Sequence, residues 1–150
     1  MQLRLQFAPT PESAPRHAAL AVDAARDVSR VRLDYSVSSL KDVDDIMHGF
    51  HSDRADIDAI VETLFAFGCY VGEVFVRSSN GRWVDVEETP MKGAAFPMVV
   101  ELPGSRLCNP IGKVFTRVEN GVEDSLPHFY EVFGKESGEG PTKKPWWKPW

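Results

Sequence analysis

Residues 67–76 read Phe67-Gly68-Cys69-Tyr70-Val71-Gly72-Glu73-Val74-Phe75-Val76. Two glycines and one carboxylate stand in an otherwise apolar run, and Ser79-Asn80-Gly81 and Trp83 close it. Upstream, Ile57, Ile60, Val61, Leu64, Phe67, Gly68, Val71, Val74 and Phe75 follow one another in helical steps. That spacing predicts one long helix over about 53–76. At ~100° per residue, Glu73 falls ~160° from the centre of the stripe. Its neighbours Tyr70, Val74, Phe75 and Val76 are apolar nearly all round, which predicts burial on both faces.

A buried carboxylate must be paired, hydrogen-bonded or protonated. The structural reading makes Glu73 an ion-pair partner of Arg117, Lys113 or Arg82, or an acceptor for backbone N–H groups. The functional reading makes it a binding or catalytic carboxylate. Gly68 and Gly72, four apart, lie on one side of the helix and call for close approach of a strand or another helix. Membrane dimerisation is excluded because the flanks are not a 20-residue apolar span.

The rest of the chain supplies a partner for that helix. Residues 1–15 read as a short strand (Leu3, Leu5, Phe7) and a proline-rich linker. Leu20, Ala24 and Val28 predict a helix over 16–28, and the alternation of Val31, Leu33 and Tyr35 predicts a strand. Ser38 or Ser39 opens a helix with the stripe Leu40, Val43, Met47 and Phe50. Strands follow at 83–87 and 97–102, as a hairpin or an adjacent antiparallel pair. Asn109-Pro110 starts another helix, with a capping side chain followed by proline at the first helical position. Asp124 or Ser125 starts the last, which Gly134 ends. The fold class is therefore α+β: one domain over 16–134, with a small, mainly antiparallel sheet packed against four to five helices. These form a single layer around the long helix.

The chain of 150 residues carries a net charge of −5, which disfavours a general nucleic-acid binder. The charge is uneven. Residues 134–150 hold four lysines and two glutamates, a net +2 against −7 for the remainder. From Lys135 onward the composition of Gly, Pro, Lys and Glu predicts a disordered basic tail, ending Lys143-Lys144-Pro145-Trp146-Trp147-Lys148-Pro149-Trp150. Trp146, Trp147 and Trp150 beside lysine and proline suit a partner's groove or an anionic membrane surface; the alternative is an unstructured end that folds back on its own domain or does nothing. The first residues lack the apolar run of a secretory signal, and Cys69 and Cys108 read as reduced structural thiols, so the expected location is cytoplasmic.

Other chemistry is sparse. Lys113 and Arg117 are spaced i, i+4 after Asn109, either as a solvated cationic edge or as groups turned toward Glu73. The start of their helix is also a possible anion site. Asp44, His48 and His51, with Asp53 close behind, have a spacing that can hold a metal, but the helix ends there and scatters the set. His17 and His128 read as surface residues. Trp83 is expected in the core or at its edge, with ligand stacking as its functional alternative. The binding candidates are Glu73, Trp83, Asn109, Lys113 and Arg117. No nucleophile, metal site or cofactor is identified.

The segments Leu33-Asp34-Tyr35-Ser36, Gly68-Cys69-Tyr70-Val71-Gly72-Glu73, Gly81-Arg82-Trp83, Asn109-Pro110-Ile111-Gly112-Lys113-Val114 and Asn120-Gly121 through Asp124-Ser125-Leu126 to Phe129-Tyr130 form a pattern. It resembles a family of small bacterial proteins of unknown function, over roughly residues 30–133. The resemblance implies a fold and no reaction. Three functions remain open. The first is a non-enzymatic protein-interaction module, of immunity or regulatory type, with an unknown protein partner. The second is a small hydrolase using Glu73 beside Asn109 and Arg117. The third is a peripheral membrane factor acting through the tail.

Overall fold

A computed structural model describes residues 7–91 and 96–134. The strand expected around Leu3 and Leu5 and the tail from residue 135 lie outside the described residues. Among the described residues the fold is α+β, with five α-helices and a three-stranded antiparallel sheet.

Helix α1 (Ala14–Ser29) buries Ala14, His17, Ala18, Ala21 and Ala25. This small-residue face lies one step round from the expected stripe, because alanines let α1 approach its neighbour closely. Leu20 and Ala24 sit at its margin and Val28 is 82% exposed. His17 corrects a second expectation. It is buried, with Nε2 3.1 Å from the Ala8 carbonyl and its ring edge-on to Phe65.

Residues 31–35 form no strand. Arg30, in the left-handed region, ends α1, and Tyr35 has φ 66°. Leu33 is buried and Val31 and Tyr35 partly so, so the alternation is real, but it packs against helices. The Tyr35 N–H donates to the Tyr70 hydroxyl at 2.8 Å in place of a strand partner. Helix α2 (Ser39–Ser52) then buries Leu40, Val43 and Met47 as its stripe requires.

The long helix begins later than its periodicity suggests. After Arg54, at φ 52°, the Asp56 carboxylate caps a single 3-10 turn at Ile57–Ala59 by accepting from the Asp58 N–H. Ile57 and Ile60 still pack on the core from this turn, which is why the stripe runs through the break. Helix α3 (Val61–Ser79) follows, and every residue from 64 to 75 is buried. It packs on α1 and on α4 and touches the sheet. Asn80, left-handed at φ 57°, closes it.

Strand β1 (Arg82–Asp85) pairs with β2 (Met98–Leu102), setting Trp83 opposite Val100. The expected extension of β1 to residue 87 is instead a 3-10 turn, capped by Asp85. A third strand, β3 (Arg106–Cys108), is too short to show alternation and pairs with β2. Helix α4 (Pro110–Asn120) starts as Asn109-Pro110 dictates, with Asn109 Oδ1 accepting from the Gly112 N–H at 2.9 Å. Helix α5 (Leu126–Phe133) starts from a Ser125 cap. Among the described residues no helix is long and apolar enough to cross a membrane.

Candidate functional site

The two glycines of α3 admit different neighbours. A Cβ on Gly68 would lie 2.6 Å from Ile111 Cα, so glycine is what lets the start of α4 cross there. A Cβ on Gly72 would overlap the six-membered ring of Trp83. The indole therefore packs directly against the helix backbone at Gly72, and its Nε1 donates to Glu73 Oε2 at 3.0 Å. Glu73 Oε1 faces Arg77, one turn on, at 3.6 Å. The carboxylate is 4% exposed and both its oxygens have partners. Arg77 is half exposed and lies 3.6 Å over the Tyr35 ring, which stacks in turn on Tyr70. The Tyr70 hydroxyl also contacts Ser39 Oγ at 2.6 Å. One polar chain thus runs from the strand tryptophan through α3 to the start of α2.

The expected pairing of Glu73 with Arg117, Lys113 or Arg82 is replaced by this local set. Arg117 is buried between α4 and α2, where Nε and Nη2 donate to Asp44 at 2.8 and 3.2 Å. Asp44 Oδ1 also accepts from the Leu126 N–H at 2.9 Å, so one carboxylate ties α2, α4 and the start of α5. Lys113 pairs with Asp124 at 2.7 Å, and Arg82 with Glu101 at 2.7 Å. Asn109 caps its own helix. The four expected companions of Glu73 therefore each have a separate structural partner, Arg117 through the crossing of α2 and α4, Arg82 through strand register, and Lys113 and Asn109 within α4 and the turn after it.

The Asp44, His48 and His51 set is likewise drawn apart. Asp44 holds Arg117, His48 Nδ1 lies 3.3 Å from Arg117 Nη2, and His51 Nδ1 lies 2.7 Å from the Val118 carbonyl. No group of three metal-ligating side chains converges among the described residues. The thiols of Cys69 and Cys108 are buried and unpaired. Burial raises both, Cys108 to about 12, so neither is a thiolate at neutral pH. Burial also raises the phenols of Tyr35 and Tyr70.

A second feature has no trace in these motifs. The outer face of α2 carries Asp42, Asp45, Ile46, Gly49, Phe50 and Asp53, at i, i+3, i+4, i+7, i+8 and i+11. Val28, Ser29 and Val31, at the end of α1, face it across an open groove of about 430 Å³. Its floor is apolar. Its rim holds three aspartates without an ion pair, and no lysine or arginine lines it, among the described residues. A Cβ on Gly49 would meet nothing within 4 Å, so the glycine leaves a gap in the floor. Sequence patterning missed this face because it sought apolar stripes that build a core. The informative signal was a glycine inside a helix between apolar residues and acids. No protein-family model, curated protein or solved structure matches the chain.

Proposed function

We propose that this protein is a non-enzymatic protein-interaction module of immunity or regulatory type, with the α1/α2 groove as its binding face. The groove carries this reading. It is an open groove whose apolar floor joins exposed Val28 to half-buried Val31, Ile46 and Phe50, beside three carboxylates without an ion pair among the described residues. Apolar surface rimmed by polar groups is characteristic of interaction sites. Glu73 lends the hydrolase alternative little support, because its oxygens face Trp83 and Arg77 inside the fold and Asn109 and Arg117 have partners elsewhere.

The test is affinity capture from cell extract, with bound proteins quantified by mass spectrometry. It compares the wild type with Val28→Glu and Asp45→Lys, two exposed positions whose substitution leaves the core intact. Recovery of a partner with the wild type and its loss with both variants is expected. Equal recovery with wild type and variants would overturn the assignment of the face.

A further inference from the structure

We propose that the α1/α2 groove is occupied by this chain's own segment 143–150, seated with an indole of Trp146 or Trp147 over Ile46 and Phe50 beside Gly49. This rests on the groove's being a binding face, and adds what fills it in the isolated protein.

Three observations carry it. The first is charge. The groove presents Asp42, Asp45 and Asp53, and the segment presents Lys143, Lys144 and Lys148, in a chain whose remainder is acidic. Asp53 is also the C-cap of α2, where the helix dipole disfavours an anion and a nearby cation relieves it.

The second is shape. A gap at Gly49, walled by Ile46, Phe50, Val28 and Val31, suits a flat amphipathic ring whose N–H stays at the wet edge. The prolines at 145 and 149 restrict the segment before it binds, which lowers the ordering cost.

The third is reach. Gly134 is held beside Ser79, whose Oγ donates to its carbonyl, and α5 begins at Asp44 on α2. α5 is ~12 Å long and a helix is ~10–12 Å across, so a path from Gly134 back along α5 and over α2 is on the order of 25 Å. Residues 135–142 span up to ~27 Å when extended. A tether of that length gives an effective concentration on the order of millimolar, so a weak contact suffices.

The experiment uses the full chain, labelled with 15N and carrying a nitroxide at Thr142→Cys. The native thiols are buried, which directs the label. The amide signals of Ile46, Gly49 and Phe50 are expected to lose most of their intensity. Those of Val84 and Asp85 should keep theirs, since β1 packs on the turn that starts α1, ~24 Å from its other end. Lys144→Glu should restore the lost signals, and adding Asp45→Lys to Lys144→Glu should remove them again. Unattenuated groove signals would overturn the proposal. So would attenuation that appears equally when unlabelled-nitrogen, spin-labelled protein is mixed with 15N protein without a label, because the occupant would then be a second copy. Failure here leaves partner capture through Val28 and Asp45 unaffected, and failure of that capture leaves the attenuation unaffected, so the two claims fall separately.

Discussion

The Asp44 carboxylate accepts two hydrogen bonds from the Arg117 guanidinium, 73 residues away, and a third from the Leu126 backbone. Arg117 is 1% exposed. Taking a guanidinium out of water costs several kcal/mol, and the close carboxylate offsets most of it. Removing one partner then leaves a buried charge without its counterion. Asp44→Ala is expected to lose ~3–5 kcal/mol of unfolding free energy, read from urea midpoints. Replacing both partners with apolar residues, as Asp44→Leu with Arg117→Met, should recover most of that loss. A double variant as unstable as the single would show that the pair stabilises the fold by more than mutual compensation.

Gly72 and Trp83 make a steric pair with a polar clasp. Trp83→Phe keeps most of the ring and removes the N–H that Glu73 Oε2 accepts, at an expected cost of ~1–3 kcal/mol for a buried acceptor left unmet. Gly72→Ala is expected to cost more, because the new methyl displaces the indole and breaks the same hydrogen bond. The two changes share one contact and should not add. In the Trp83→Leu background the further cost of Gly72→Ala should fall sharply. Additive losses in thermal denaturation would refute the steric account.

The legibility of the chain follows from which signals are local. Capping is local, and Asn109-Pro110 and Ser125 start their helices where the side chains dictate. The glycine pair of α3 is local too, so close approach at Gly68 and Gly72 was readable, although the neighbours, Ile111 and Trp83, were not equally so. The apolar neighbours of Glu73 place it inside, and its position opposite the stripe points to a distant partner, whereas the cation it faces is Arg77, one turn along the same helix. Arg117 found Asp44 only because α2 and α4 cross, and a crossing leaves no mark in spacing. Val31, Leu33 and Tyr35 alternate without forming a strand because burial, not pairing, sets the period. The groove was the least legible feature. Phe50 belongs to the core-facing stripe of α2 and also lines the groove, so apolar spacing alone does not separate the two roles.

Lys113 and Asp124 tie α4 to the turn before α5. The Asp124 carboxyl is held below its ordinary range, first by the hydrogen bond from Lys113 and then by that from Asn120. A carboxyl whose folded pKa is depressed stabilises the fold fully above its unfolded value of about 3.9, and that contribution is lost as pH falls through the folded pKa. Wild-type stability should therefore drop below about pH 4 more steeply than that of Asp124→Asn. Urea midpoints between neutral pH and about pH 2.5 measure this, and the two curves should converge at the acid end. Parallel curves would remove Asp124 from the acid response.

Gly49 stands in the second half of α2, where glycine costs ~0.5–1 kcal/mol relative to alanine. Nothing in the fold crowds that position, so sterics do not explain the glycine. Gly49→Ala is accordingly expected to stabilise the protein by about that amount and to raise Tm by a few degrees. The same methyl narrows the gap between Ile46 and Phe50. If that gap receives an indole, the more stable variant should also recover less partner, and should show weaker attenuation at Ile46 and Phe50 in the spin-label experiment. A stabilising change that weakens binding marks a position held open for function. A stabilised Gly49→Ala protein with unchanged capture and unchanged attenuation would show instead that the groove's occupant does not enter the floor at this residue.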